Sequence, residues 1–219
     1  MMISRMTRGL LALALLAGSG AASAQGAVPD TNAYVRVGLT RIAFVDGGDL
    51  KADGAVIPGA EYDTDPRITA TVEAGYFVTS NFALSVSGSL PAKSKNIADG
   101  SLAGAGNLGS DDFSIFTATA HYHFNRGGVV QPYIGGGIAY QATWDSDDGV
   151  VENLNISDGH GPVLQGGVEF RASDRIGVYL DAKKAWIKNK ARGTLGPATI
   201  TAKPVLNPFI LQAGISYHF

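Results

Sequence analysis

The sequence predicts an all-β fold, an eight-stranded antiparallel up-and-down transmembrane β-barrel. Apolar residues alternate with polar or small residues in eight separate segments, and the connections between these segments are alternately short and long. Alternation at period two is typical of strands with one apolar face. The sorting of connections is typical of outer-membrane barrels, which have tight periplasmic turns and long extracellular loops. A soluble β-sandwich has no reason to sort its loops in this way.

Composition excludes several other classes of protein. Of the 219 residues, 45% are hydrophobic and 16% are charged, yet no window holds the roughly 18 consecutive apolar residues of a membrane-spanning helix. Lys and Arg together number 17 against 19 Asp and Glu, so the clustered basic excess of nucleic-acid binders is missing. The absence of Cys excludes disulfides, thiol nucleophiles and zinc-thiolate sites.

The N-terminus predicts export. Residues 1–24 contain Arg5 and Arg8, then a short apolar run, and end in an A-x-A triplet at Ala24. This pattern predicts a signal peptide that is removed, because the apolar run is too short for a membrane anchor. The predicted barrel domain, residues 25–219, then carries 15 basic and 19 acidic side chains. We expect it in the outer membrane of a Gram-negative cell.

The predicted strands follow one another with turn-rich breaks between them. The third is the plainest, since Phe82, Leu84 and Val86 share one face and small or polar residues lie between them. The predicted strands are 33–45, 67–78, 82–90, 113–124, 133–144, 162–171, 176–188 and 207–219. The short connections are 79–81, 125–128 and 172–175, and the long ones are 46–66, 91–112, 145–161 and 189–206.

The two faces of these strands predict which side meets lipid. One face carries bulky apolar residues, and the other is rich in Gly, Ala, Ser and Thr. Small residues suit the inside of an eight-stranded barrel, whose lumen is only wide enough for side chains, so the bulky face is expected to meet lipid. An aromatic girdle is predicted at the short-turn end, formed by Tyr76, Phe82, Tyr122, Phe124, Tyr217 and Phe219.

Charged residues on the inward face predict a polar plug low or midway in the lumen. Three acids and three bases can pair there, with histidines beside them. Because an unpaired charge inside a region of low dielectric costs several kcal/mol, a neutral set blocks ions better than it conducts them. The predicted plug consists of Arg36, Glu73, His121, Glu169, Arg171, Asp181 and Lys183, with His123 nearby.

The upper lumen is predicted to be apolar. We call this apolar region the cup. Above a polar plug it would accept an apolar solute but offer no straight aqueous path through the lumen. This arrangement suggests capture at the cup and sideways release into lipid. The alternative is that these side chains only pack a filled barrel. The predicted cup consists of Ile42, Phe44, Ile115, Val163, Ile187 and Ile210.

Lys184 departs from the pattern, because alternation places it on the lipid face of the seventh strand. At the midplane a Lys would cost roughly 2 to 4 kcal/mol. Either it lies near the upper interface, with its ammonium group reaching toward water, or a bulge shifts the register.

The C-terminal strand ends in an aromatic residue. Its last apolar positions include Tyr217 and Phe219, and this ending resembles the signal that outer-membrane assembly machinery recognises. An ordinary C-terminal strand is the alternative, but it leaves the terminal Phe unexplained.

Several segments, in order, resemble the OmpW family of eight-stranded outer-membrane proteins. They are LPAKSKNI (90–97), YHF (122–124), QPYIGGGIAY (131–140), GPVLQGGVEF (161–170), DAKK (181–184) and NPFILQAGISYHF (207–219). The resemblance implies a barrel in the outer membrane that binds or passes small hydrophobic molecules through a narrow, largely apolar lumen with a lateral way out. The long first loop and the Gly- and Ser-rich segment before residue 112 depart from the family pattern.

Two short motifs resemble ligand sites but lack features that those sites require. The run at 104–109 matches G-x-G-x-x-G, but a dinucleotide site needs a strand before it and a helix after it. The acidic run that begins at Asp145 lacks a Glu at the twelfth position of a calcium loop, where Ile156 stands. We expect a solvated acidic loop there, close to cations that bridge lipopolysaccharide.

Other functions remain as alternatives. A surface-structural or adhesion barrel would act through its long loops, and a lipid-modifying enzyme would use His121 or His123 with Ser and an acid. We predict no enzyme activity, no catalytic residue, no metal and no cofactor. The expected partners are outer-membrane lipid and lipopolysaccharide, the barrel-assembly machinery and small hydrophobic solutes, without nucleic acid. The pattern predicts no particular oligomeric state.

Overall fold

The computed structural model describes residues 32–44, 50–202 and 205–219. The predicted signal peptide lies outside these residues. The strands are β1 Ala33–Ala43, β2 Leu50–Ala52, β3 Ala55–Val56, β4 Ala60–Thr64, β5 Arg67–Phe77, β6 Phe82–Ser89, β7 Ala92–Gly100, β8 Asn107–His123, β9 Val130–Asp148, β10 Glu152–Ile156, β11 Gly159–Arg171, β12 Ile176–Ala185, β13 Ile187–Lys188, β14 Ala191–Leu195, β15 Ala198–Ala202, β16 Val205–Leu206 and β17 Phe209–His218. A 3-10 helix covers Ala103–Ala105, and no helix in the described ranges is long and apolar enough to cross a membrane.

Eight long strands close into a barrel, which confirms the predicted fold. Each strand is antiparallel to both neighbours in the order β1, β5, β6, β8, β9, β11, β12, β17. The last strand returns to the first, with Tyr34 opposite His218 and Ala43 opposite Phe209. Closure leaves no free edge in the membrane, where an unpaired backbone group would cost several kcal/mol.

The strands turn their apolar face outward, as the alternation predicts. On β1, Leu39 is 65% exposed, whereas its neighbour Thr40 is 1% exposed. The outer surface is therefore an apolar belt suited to lipid, and the lumen is lined by polar and small residues. All six predicted girdle residues have exposed rings on this outer surface.

Several predicted boundaries are wrong, because the long connections contain β-structure. Strand β8 begins at Asn107 instead of residue 113, and β9 continues to Asp148 instead of residue 144. A second sheet forms above the barrel in the order β10, β14, β15, β2, β3, while β4 and β7 extend the barrel wall. Neither face of these segments meets lipid, so their sequence lacks the sharp alternation that identifies a membrane strand.

The ends of three predicted strands also differ. The seventh is divided at Trp186 into β12 and β13, and the last begins at Phe209 instead of residue 207. The first ends at Ala43, and Val45 lies outside the described residues.

The register around Lys184 is regular. Lys184 pairs with Leu164 on one side and Phe209 on the other, without a bulge. Its ammonium group donates to the carbonyl oxygen of Asn207 at 2.6 Å, at the extracellular end of the barrel. The structure therefore supports the first of the two explanations, in which the Lys184 side chain reaches toward the upper interface.

Candidate binding cavity above a closed lumen

The polar plug is an ion-pair network centred on Arg36. Its Nη1 atom lies 3.0 Å from Oε1 of Glu73, and its Nη2 atom lies 2.8 Å from Oε2 of Glu169. The Nζ atom of Lys183 lies 3.2 Å from Oε2 of Glu73 and 3.3 Å from Oδ1 of Asp181. The structure thus brings these five predicted residues together. All five are buried, so each charge depends on its partners for stabilisation.

The sixth charged residue of the predicted plug lies at its edge. Arg171, at the end of β11, has Nη1 3.8 Å from Oε1 of Glu169. It also donates to backbone carbonyls of the turn that follows, at Ser173 and Asp174. Its contribution to the buried network is therefore smaller than that of Arg36.

The two predicted histidines lie beside this network, within the lumen. Nε2 of His121 is 2.8 Å from Oγ of Ser85, and its Nδ1 is 3.4 Å from Nε2 of His123. The ring of His123 stacks on Tyr133 at 4.9 Å between centroids. Both histidines are fully buried among protein groups.

Two further residues belong to the plug and were not predicted from the sequence. His218 lies with Nε2 2.6 Å from Oε1 of Glu169. The hydroxyl of Tyr133 donates to Oδ2 of Asp181 at 2.7 Å and accepts from Nη1 of Arg36 at 3.2 Å. His218 could have been found, because it follows an outward-facing aromatic residue and alternation turns it inward.

Glycines make room for the large rings of the plug. A Cβ atom on Gly75 would overlap the ring of Tyr34, and one on Gly167 would overlap the ring of Tyr133. Residues without a side chain are therefore needed opposite these tyrosines, as expected in so narrow a lumen.

Five of the six predicted cup residues are packed together instead of lining open space. Ile42, Ile115 and Ile210 form one cluster with Phe113. The other cluster consists of Val163 and Ile187 with Ala139 and Ala185. These clusters close the lumen above the plug. The sixth residue, Phe44, packs on the first cluster and also faces open space above it.

The open space is a cavity within the extracellular extension of the barrel. It contains about 720 Å³ of empty space, including the part that opens to solvent. Strands of the second sheet form one wall, and β4, β7 and β8 form another. Its apolar lining is formed mainly by Phe44, Leu50, Leu108, Val151, Leu154, Ile156 and Ile200. Its polar lining includes Thr64, Ser94, Asn96, Asp111, Gln141 and Arg192.

The barrel wall beside the floor of this cavity has an interrupted ladder. Leu90 N donates to Ala70 O at 2.8 Å below the interruption, and Asp65 N donates to Lys95 O at 3.2 Å above it. Between these bonds, residues 66–69 and 91–94 have no backbone hydrogen bond to each other in the described chain. Each stretch contains a proline, Pro66 or Pro91, which lacks a backbone donor. We call this gap the wall window.

The wall window lies between apolar regions. Outside it, Ile68 and Leu90 are exposed on the lipid-facing surface. Inside it, Ala92 packs against the cluster that contains Phe113. The cavity floor is therefore separated from the outer surface at this point by a few side chains and a stretch of wall without a backbone ladder.

Comparison with known proteins agrees with this architecture. The pattern of the OmpW family matches residues 31–219. The chain belongs to the OmpW family. Among its relatives, outer membrane protein AlkL of Ectopseudomonas oleovorans is 29% identical over 172 residues, which cover 78% of this chain and 75% of AlkL. The dibenzothiophene metabolism operon protein PahQ of Pseudomonas aeruginosa is 26% identical, covering 84% of this chain and 87% of PahQ.

A solved structure shows the same fold. The outer membrane protein OprG from Pseudomonas aeruginosa superimposes with a TM-score of 0.80 at 19% identity, covering 86% of this chain and 95% of OprG. This OmpW-family chain is thus an outer-membrane β-barrel, as predicted. Tyr217 and Phe219, the predicted assembly signal, lie on its outer face, and Phe219 N donates to Ala33 O at 2.9 Å. Their recognition by assembly machinery stays a prediction.

Proposed function

We propose that this OmpW-family barrel binds small hydrophobic molecules in its extracellular cavity and releases them sideways into the outer membrane. The observation that carries the proposal is an apolar cavity above a closed lumen. A largely apolar concave site with a few polar groups is the usual form of a small-molecule site. Because the cavity lies within the extracellular extension of the barrel, we infer that a solute enters it from outside the cell, without crossing the lipopolysaccharide layer.

The closed lumen argues against a straight path to the periplasm. Below the cavity a solute would meet the two apolar clusters and then the network of Arg36 and Lys183. Displacing a partner from a buried ion pair costs roughly 3 to 5 kcal/mol, which an apolar solute cannot recover by hydrogen bonding. The plug therefore turns hydrophobic molecules away from the lumen.

The wall window supports lateral release. An apolar solute gains free energy on leaving water for lipid, at roughly 25 cal/mol per Å² of buried apolar surface. The window lacks the continuous backbone ladder that seals the rest of the wall. At its lower edge Thr69 Oγ1 donates to Leu90 O at 3.0 Å, so widening breaks fewer interstrand hydrogen bonds there than elsewhere in the wall. Movement of the Phe113 cluster would then connect the cavity floor to the lipid beside Ile68.

The names of two relatives are consistent with this proposal. PahQ and DoxH are named as proteins of a dibenzothiophene metabolism operon, and dibenzothiophene is a small, apolar aromatic compound. We propose a solute of comparable size and polarity for this barrel.

Uptake of a fluorescent apolar probe tests the binding step. N-phenyl-1-naphthylamine fluoresces when it enters lipid, so its initial fluorescence rise in Gram-negative cells measures entry through the outer membrane. We expect Phe44→Asp and Ile200→Asp to reduce the barrel-dependent rate strongly, because each places a charge in the cavity lining. The matched control is Val56→Asp on the exposed strand β3, which should leave the rate unchanged. Equal rates in all three variants would contradict the proposal.

Cross-linking the wall window tests the release step. Cysteines at Ile68 and Lys93 would stand on opposite sides of the window, and both native side chains are exposed. A short bis-maleimide should join them and slow probe entry, because the window can no longer widen. The same double variant without the reagent, and each single variant treated with it, should take up the probe normally. Unchanged entry after complete cross-linking would exclude this window as the exit.

We further propose that the barrel is not an enzyme. Ser85 and His121 form a hydrogen-bonded pair of the kind seen in acyl-transfer enzymes, but both are buried in the lumen and turned away from lipid. A structural role in the plug accounts for both residues. We expect the purified barrel to show no lipid A deacylation. A deacylation activity that His121→Ala abolishes would instead support a lipid-modifying enzyme.

A further inference from the structure

The apolar cavity has one polar corner, formed where β4, β7 and β8 lie side by side. Asn96 Nδ2 donates to Oδ1 of Asp111 at 3.3 Å, and Thr64 Oγ1 donates to Oδ1 of Asn96 at 3.1 Å. Ser94 lies directly opposite Asp111 in the β7–β8 ladder. All four residues line the cavity on the side of β4, β7 and β8, and the other polar lining residues include Gln141 on β9 and Arg192 on β14.

Ser94 is the member of this corner with unused bonding capacity. Its side chain is 1% exposed, and its Oγ atom has no hydrogen-bond partner among the described residues. A buried hydroxyl without a partner is destabilising, because it has lost its hydrogen bonds to water. A bound molecule that offers a hydrogen-bonding group to Ser94 would recover this cost.

Asp111 supplies an acceptor beside that hydroxyl. It is buried in the extracellular extension of β8, above the lipid-facing belt, and Asn96 satisfies its Oδ1 atom. Burial raises the pKa of Asp111 to about 6, so the carboxyl is mostly ionised at neutral pH. A negatively charged head group would be repelled there, whereas a neutral donor would be bound. The one basic residue in the described lining, Arg192, has an exposed side chain whose charge is solvated.

We propose that the cavity selects molecules with an apolar body and a single hydroxyl group, as in an alcohol or a phenol. The hydroxyl would donate to the carboxylate of Asp111 and accept from Oγ of Ser94. The apolar body would then lie against Leu154, Ile156 and Ile200. This inference rests on the proposed function and names the substrate class of the same cavity.

The two-part lining explains why one hydroxyl is specified. A hydrocarbon would bury its surface against the apolar walls but leave Ser94 without a partner. A molecule with several polar groups would leave unpaired those that lie against Leu154, Ile156 and Ile200. An apolar body with one terminal hydroxyl matches the apolar walls and the corner formed by Ser94 and Asp111.

Naphthalene and 2-naphthol test the inference, because they share one ring system and differ by one hydroxyl. The mature barrel in lipid nanodiscs would be titrated with each, and empty nanodiscs would correct for partition into lipid. Methyl NMR signals of Leu154 and Ile200 would report binding inside the cavity. We expect 2-naphthol to bind about three- to tenfold more tightly, the effect of a typical net hydrogen bond.

Variants separate the polar corner from the apolar walls. Ser94→Ala and Asp111→Asn should each move the affinity ratio of 2-naphthol to naphthalene toward one. Ile200→Ala should weaken both ligands and keep their ratio. Equal affinities in the native barrel, or a ratio that neither corner variant changes, would overturn the selection of a hydroxyl while leaving the binding function intact. If neither compound shifts the cavity methyl signals, the proposed function itself fails.

Discussion

Arg36 and Glu169 form an ion pair across the lumen, with 2.8 Å between Nη2 and Oε2. Arg36 lies on β1 and Glu169 on β11, two strands that are not neighbours in the barrel wall. Glu73 lies on β5, next to β1, and occupies the other side of the same guanidinium group. A single guanidinium group, bonded to two different carboxylates, therefore ties three strands together inside the barrel.

Removing this guanidinium should destabilise the barrel. Arg36→Met would leave Glu73 and Glu169 buried without their main partner, and we expect it to lower the free energy of unfolding by about 3 to 5 kcal/mol. Urea unfolding in lipid vesicles, followed by tryptophan fluorescence, measures this loss. The control is Arg41→Met on the same strand, where Arg41 is exposed and should change stability by less than about 1 kcal/mol. Similar losses in both variants would contradict the structural importance of the plug.

The space opposite Tyr34 should not tolerate a side chain. Gly75→Ala would drive a methyl group into the buried Tyr34 ring, and we expect a loss of roughly 1 to 3 kcal/mol on unfolding. Gly127→Ala in a periplasmic turn is the control, because an added Cβ there meets no atom within 4 Å. If the two variants unfold at the same urea concentration, the result would contradict close packing of the Tyr34 ring against Gly75.

The position of Lys184 relative to lipid predicts a contrast within β12. Leu180 lies four residues earlier on the same face and is 52% exposed on the outer surface. Leu180→Lys should cost roughly 2 to 4 kcal/mol because it places an ammonium group deep in lipid. Lys184→Leu should change stability by less than about 1 kcal/mol, because Lys184 already bonds to Asn207 O near the interface. Vesicle unfolding of both variants measures the difference, and a gain in stability of roughly 2 to 4 kcal/mol in Lys184→Leu would place Lys184 at the midplane.

Asp111 should titrate near pH 6. Burial raises its pKa to about 6, while the hydrogen bond from Asn96 lowers it and the nearby charge of Asp112 raises it. Since this folded-state pKa exceeds that of the unfolded chain, the folded state gains stability as pH falls from about 6 to 4. The same contribution is lost as pH rises through 6.

Carboxyl carbon NMR of the barrel in nanodiscs measures this titration. Asn96→Ala should move the midpoint of Asp111 to higher pH, because it removes the hydrogen bond that favours the ionised form. Asp111→Asn should abolish the corresponding part of the pH dependence of unfolding. A midpoint near pH 4 would show that this carboxyl is solvated.

The membrane part of the fold could be predicted residue by residue. Lipid on one side and a narrow lumen on the other impose strict alternation, so the sequence placed Arg36 inward and Leu39 outward. His218 obeys the same rule, since it is buried between the exposed residues Tyr217 and Phe219. The extracellular extension was not predicted, because the pairing of β15 with β2, far apart in sequence, leaves no periodic pattern where both faces meet water or protein.

The cavity, too, could be predicted from the sequence only in part. Sequence alone determined which side chains enter the lumen, including Ile42 and Ile187, because alternation fixes direction. Only the tertiary structure decided that these residues pack as a closed floor and that the open space lies above them, beside Ser94 and Asp111. Direction is a local property of the pleated backbone. Whether inward side chains fill a space or leave it open depends on which strands close around it.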